Sequence, residues 1–103
     1  MAGTDSEGAF QAIADPTRRL ILDELTKRDD QTLYELCVRM LTDHGVDMTR
    51  QGIEKHLAVL ENAHLVVSER RGKFKVLRLD AGPLRQDVEP WVRRLTATET
   101  KRR

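Results

Sequence analysis

Gln51, Glu54 and Lys55 stand at i, i+3 and i+4, which brings an amide, a carboxylate and an ammonium onto one side of a helix. A glutamine amide carries a donor and an acceptor together, so it can pair bidentately with an adenine edge. Lysine can reach guanine or phosphate; glutamate can accept from cytosine or repel a phosphate. A second group, Arg70, Arg71, Lys73, Lys75 and Arg78, crowds five cations into nine residues, and Lys101, Arg102 and Arg103 follow at the end. Such local density answers a polyanion, although a solvated hairpin and a frayed tail carry the same charges. The remaining reactive types are Cys37 and the histidines His44, His56 and His64. A soft-metal site needs three or four converging thiolates or imidazoles. One cysteine does not supply that, and none of the histidines makes an i, i+4 pair with it. Cys37 is read first as a small core residue.

These groups need elements to hold them. The stretch from Thr49 to Val67, TRQGIEKHLAVLENAHLVV, repeats Ile53, Leu57 and Leu60 at i, i+4 and i+7, one stripe of a helix. At about 100° per residue, Gln51, Glu54, Lys55 and Ala58 fall opposite that stripe. Thr49 stands where an N-cap belongs. Before it, Thr32 and Glu35 have capping-box spacing and open a helix reaching about His44, with Leu33, Leu36, Cys37, Met40 and Leu41 apolar. Gly45 ends it, and Val46 to Met48 form a bridge longer than the tightest helix-turn-helix turn. Asp15-Pro16 reads as N-cap and N1 of a helix running to Lys27, with Leu20, Ile21, Leu22 and Leu25 inward. On it, Arg18 and Arg19 are expected to pair with Asp15 or Asp23, or else to touch phosphate. Thr4 and Glu7 predict a first helix over Ser6 to Ala14, burying Phe10 and Ile13.

Downstream, Leu65 to Arg70 and Lys73 to Leu79 are strand-like, with Arg71-Gly72 as the turn. Phe74 and Val76 alternate with Lys73 and Lys75, predicting one inward and one basic face. Asp80 can cap a last helix from Ala81 to about Thr98, lined by Leu84, Val88, Trp91, Val92 and Leu95. Pro90 lies inside it and is expected to kink or split it.

At 103 residues and 39% hydrophobic content, the chain is one domain, 1–103, with a single modest core that a dimer would enlarge. Charged residues make up 34% and no long apolar run occurs, which excludes a membrane-spanning helix. The start, MAGTDSEGAF, lacks a basic region followed by an apolar one, so no secretory signal is expected. A lone cysteine fits the reducing cytoplasm. The net charge of +1 says little about nucleic acid; the clustering says more. No nucleophile elbow, phosphate-cradling glycine loop or paired carboxylates mark an enzyme.

The order of elements describes a mainly α winged helix-turn-helix. It has about five helices, a two-stranded wing over about 65–79 and a terminal helix over about 81–98. The helix pair ending in Thr49 to Val67 is the motif, and double-stranded DNA is the leading partner. A winged-helix module that binds protein, or a regulator using Cys37 as a metal or thiol sensor, are the alternatives.

The segments ADPTRRLILDEL, TLYELCVRML, TRQGIEKHLAVLENAHLV and RRGKFKVLRLD resemble the ArsR/SmtB family of transcriptional regulators, roughly from Phe10 to Trp91. The resemblance implies a homodimeric winged-helix repressor on a palindromic operator. It places the dimer contact on Phe10, Ile13, Val88, Trp91 and Leu95. It also places Thr49, Arg50, Gln51, Glu54, Lys55 and His56 in the recognition-helix region. Gln51 is the base reader, Thr49 a phosphate contact or cap, and His56 divides equally between packing and phosphate. Wing contacts fall to Arg70, Arg71, Lys73 and Lys75. Glu54 stands where the family often has a small hydroxyl residue, and Gly52 where it often has alanine. The family's thiolate motif reads Glu35-Leu36-Cys37-Val38-Arg39 here, with arginine at the second thiolate position. The last helix has no histidine for the other common metal site. The chain is therefore expected to hold no metal and no cofactor, and nothing in it names an inducer.

Overall fold

A computed structural model describes residues 8–101. The expected Thr4–Glu7 capping box and Arg102 and Arg103 lie outside that range. The chain is helical over residues 8–12, here α1. There follow α2 (Pro16–Leu25), β1 (Gln31–Thr32), α3 (Leu33–His44), α4 (Arg50–Asn62), β2 (Val66–Arg71) and β3 (Phe74–Leu79). A π-helical turn, Leu84–Val88, leads into α5 (Glu89–Lys101).

The helix ends follow from side-chain chemistry. The Asp15 carboxylate accepts from the Arg18 amide at 3.0 Å, with Pro16 in the first turn of α2. The Thr32 hydroxyl accepts from the Glu35 amide at 3.1 Å, and the Glu35 carboxylate accepts from the Thr32 amide at 2.9 Å. This reciprocal pair is the expected capping box. Gly45 takes φ 65°, which turns its amide onto the Leu41 carbonyl at 3.0 Å and stops α3.

Arg18 and Arg19 do something the sequence did not announce. Arg18 donates to the carbonyls of Ala12 (2.8 Å) and Gln11 (3.0 Å), and Arg19 donates to that of Ile13 (2.7 Å). Both guanidinium groups thus serve carbonyls at the end of α1, where Gln11 also accepts from the Ala14 amide.

Ile21 and Leu25 of α2, Leu33, Leu36 and Met40 of α3, and Ile53, Leu57 and Leu60 of α4 meet with Leu65 and Leu77 in one core. Leu41, expected within the apolar stripe, is exposed. It lies about 100° round the helix from Met40, past the edge turned toward the core. Among the described residues two polar side chains are fully buried, Glu24 and Gln31. Glu24 Oε2 lies 2.7 Å from Lys27 Nζ and 2.6 Å from His44 Nε2, tying the end of α2 to the end of α3. The Gln31 amide donates to the Glu24 carbonyl at 2.7 Å.

The expected two-stranded hairpin is part of a three-stranded antiparallel sheet in the order β1-β3-β2. Gln31 pairs with Leu77 and Thr32 with Val76. Two polar residues carry no alternation to read; they become a strand because β3 would otherwise leave an open edge. The tip also differs from expectation. Arg71 pairs with Phe74, so the turn falls on Gly72-Lys73, with Gly72 at φ 61° in the first central position. Phe74 does not turn inward but is 51% exposed: the core side of β3 carries Leu77 and Leu79, with Lys75 toward Glu61 of α4, so Phe74 stands on the opposite face. Its ring lies 5.8 Å beneath the Lys73 ammonium.

Asp80 accepts from the Gly82 amide at 2.9 Å and opens the last helical segment. Helical structure is continuous over residues 82–101, so Pro90 does not split it. Instead the Glu89 amide donates to the Leu84 carbonyl five residues back. The wider π turn absorbs the bond that proline cannot make and relieves the clash of its ring with the preceding turn.

Candidate nucleic-acid interface

The helix α4 is anchored by Ile53, Leu57 and Leu60, all buried, and its opposite side faces solvent. Thr49 is the N-cap, its hydroxyl accepting from the Gly52 amide at 3.0 Å. Gln51, Glu54, Lys55 and Ala58 are exposed together. The side chains of Gln51 and Lys55 make no hydrogen bond or ion pair with the other described residues, which leaves both tips available to a ligand. Glu54 is paired: Arg50 Nε lies 3.2 Å from its Oε2. That pair cancels one cation and one anion on the exposed face.

Gly52 has a local reason. A Cβ there would fall 2.7 Å from Met48 Cγ and 3.1 Å from its sulfur. Met48 folds over the first turn of α4 in the space that an alanine would occupy, packing just ahead of the cap much as a hydrophobic staple does.

His56 turns inward. Its Nδ1 lies 3.3 Å from Arg18 Nη1 and 3.8 Å from Asp15 Oδ2, so the structure places it among intramolecular partners at the α1–α2 junction.

On the wing, the five cations divide. Lys75 lies 3.2 Å from Glu61 of α4, which sets β3 against the helix. Arg71 lies 2.8 Å from Glu69 and 3.5 Å from Asp30, and Arg78 lies 3.5 Å from Asp30. Arg70 and Lys73 are exposed and form no ion pair among the described residues. Sequence reasoning counted the cations and missed these carboxylates. Asp30 lies far from the wing in the chain, and Glu61, close before it, meets Lys75 only because the hairpin folds back beside α4.

Cys37 is half-buried between α3 and α4. Burial pushes its thiol up, more than the nearby Arg50 charge lowers it, so the reactive thiolate is disfavoured. Among the described residues no three His, Cys, Asp or Glu side chains are grouped to hold a metal ion.

The residues assigned to a subunit contact lie on α1, the α1–α2 junction and the last helical segment. Phe10 meets Trp91 edge-on, ring centroids 5.4 Å apart at 88°. Trp91 and Leu95 of α5 are 43% and 52% exposed, with Val92 beside them. Ile13 and Val88 line a groove of about 800 Å³ between α2 and the π turn.

Comparison with known proteins places this arrangement. No family model matches the chain. The uncharacterized HTH-type transcriptional regulator YuzN of Bacillus subtilis is 48% identical over 88 residues, covering 85% of this chain and 96% of that protein. The transcriptional repressor SdpR of Bacillus subtilis is 34% identical over 83 residues, 81% of this chain and 83% of that protein. The crystal structure of an ArsR family transcriptional regulator superposes with a TM-score of 0.77 at 26% identity, over 95% of this chain and 93% of that one. With a tethered helix facing outward beside a basic hairpin, and kinship of this extent, the chain belongs to the ArsR family of winged helix-turn-helix transcriptional regulators.

Proposed function

We propose that the protein is a cytoplasmic homodimeric repressor that reads a palindromic operator with α4 and steadies itself on phosphates with the wing. One observation carries this reading: the side of α4 opposite its buried stripe shows Gln51 and Lys55 unpaired and exposed. Gln51 is assigned to adenine, Lys55 to guanine or phosphate, and Thr49 and Arg50 to the backbone at the helix start. Arg70 and Lys73 are the wing's free cations, with Arg71 and Lys75 behind them. Glu54, already matched with Arg50, accepts from cytosine only if that pair opens. His56 is assigned a holding role.

Dimerisation is supported by the apolar surface that Trp91, Val92 and Leu95 leave open beside Phe10, Ile13 and Val88. Two-fold symmetry would set the recognition helices about 34 Å apart, one turn of DNA. Kinship with SdpR, named a repressor, supports repression over activation. No helix among the described residues is long and apolar enough to cross a membrane. Selection of bound duplexes from a random pool tests the reading: two inverted half-sites one turn apart are expected, and enrichment of no sequence would overturn it.

A second reading rests on α3. Tyr34, Val38 and Leu41, 72%, 39% and 51% exposed, repeat at i, i+4 and i+7 on its outer side. That stripe favours a protein partner. A stoichiometric protein complex formed without retardation of DNA fragments would establish it in place of operator binding.

A further inference from the structure

We propose that Asp30 sets the DNA affinity of the wing by holding Arg71 and Arg78 where a phosphate would otherwise take them. The inference rests on the DNA-binding reading and assigns a role to a residue outside both the recognition helix and the hairpin. Asp30 Oδ2 lies 3.5 Å from Arg71 Nη2, and Oδ1 lies 3.5 Å from Arg78 Nη1. One carboxylate thus spans two guanidinium groups, as a phosphate does with its separate oxygens.

The position is built rather than incidental. Asp30 stands at φ 60°, a left-handed conformation that aspartate and asparagine tolerate better than most residues. The next residue, Gln31, is fully buried, paired with Leu77 on β3 and bonded through its amide to the Glu24 and Arg28 carbonyls. That anchor fixes Asp30 at the edge of the sheet. Across the sheet, the pairs Arg71–Phe74, Glu69–Val76 and Val67–Arg78 put Arg71, Glu69 and Arg78 on one face. Asp30 and Glu69 are the two anions on that face, and both are engaged with its arginines.

The consequence is electrostatic. A cation that already has a carboxylate partner must release it before it neutralises a phosphate, and the released anion stays near the DNA. Half-exposed pairs of this kind are weak, so phosphate displaces them, but each displacement subtracts from affinity and from the salt dependence. Asp30 therefore keeps two of the wing's cations from binding DNA indiscriminately.

The test compares Asp30→Asn with Asp29→Asn. Asp29 is exposed and forms no ion pair among the described residues, so both variants change net charge equally. Binding to a random-sequence duplex of about 30 base pairs is followed by fluorescence anisotropy between about 50 and 200 mM salt. Asp30→Asn is expected to bind about three- to tenfold tighter than Asp29→Asn at the low-salt end, with a log–log salt slope steeper by about one. That advantage is expected to vanish when Arg71 and Arg78 are both alanine. Equal binding by the two variants, or an advantage that survives the loss of both arginines, would overturn the proposal. Failure of every form, wild type included, to bind DNA would overturn it together with the reading on which it rests. Circular dichroism and urea unfolding confirm that each variant is folded.

Discussion

His56 of α4 lies 3.3 Å from Arg18, thirty-eight residues earlier, through Nδ1 and Nη1. Arginine only donates, so this contact is a hydrogen bond in the tautomer whose Nδ1 accepts. The same guanidinium serves the Ala12 and Gln11 carbonyls at the end of α1. A single side chain on α2 thus joins the helix assigned to reading DNA with the one assigned to the subunit contact. Replacing Arg18 with alanine strips three acceptors at once and is expected to lower stability by about 1–3 kcal/mol. Arg18→Lys recovers only part of this, because an ammonium lacks the planar fork. Urea unfolding of both variants checks it, and a change within error for Arg18→Ala would show the junction to be idle.

Gly52 and Met48 give a second test. Glycine inside a helix costs up to about 1 kcal/mol against alanine, yet here a Cβ would strike the Met48 side chain. Gly52→Ala is expected to stabilise a Met48→Ala background by about 0.5–1 kcal/mol and to gain less while Met48 is present. Equal gains in the two backgrounds, measured by thermal or urea unfolding, would show that the methionine does not set the choice of glycine.

Much of this fold is legible locally. The Thr32–Glu35 box, Asp15-Pro16, Gly45 and Gly72 each impose a backbone state through their own chemistry, and the structure shows each of them. The buried stripe Ile53, Leu57 and Leu60 is equally plain, because periodicity reports which side of a helix is covered. What could not be read depends on distant chain. Gln31–Thr32 becomes a strand only because β3 lies alongside. Phe74 looks inward by alternation, but alternation does not say which of the two faces packs, and the core takes the side of Leu77 and Leu79. Within the candidate site, the exposed amide and ammonium were visible; Arg18 on His56, Glu61 on Lys75 and Asp30 on two arginines were not.

Acid should weaken the fold through three carboxylates. Asp15 is held below its ordinary value chiefly by the Arg18 amide, and Glu35 chiefly by the Thr32 amide. For Glu24, burial alone pushes the carboxyl up, but its bonds to Lys27 and His44 outweigh that and leave it lowered. A lowered folded-state value means that the unfolded chain takes up protons first. The stabilisation is therefore complete above about pH 5, beyond the unfolded carboxylate range, and is lost as pH falls through the lower folded values. Glu24→Gln should flatten the acid limb of a stability–pH curve measured by urea unfolding. An unchanged limb would remove Glu24 from this group.

The wing lysines should behave differently from one another. Lys73 forms no ion pair among the described residues, whereas Lys75 is already matched with Glu61. Lys73→Ala is expected to weaken binding to every duplex, by about two- to fivefold, and to reduce the salt slope by about one. Lys75→Ala should cost less affinity. Titrations at several salt concentrations check the order, and the reverse order would mean that the Glu61 pair opens freely on DNA.

Anisotropy titration of wild type and Gln51→Ala against a duplex selected from a random pool, and against its single-base variants, asks most directly whether α4 reads bases. Wild type should prefer the selected duplex strongly over a scrambled one, and Gln51→Ala should lose about 1–3 kcal/mol of discrimination at one adenine while binding elsewhere as before. Equal wild-type affinity for selected and scrambled duplexes, or full preference retained without the Gln51 amide, would contradict it.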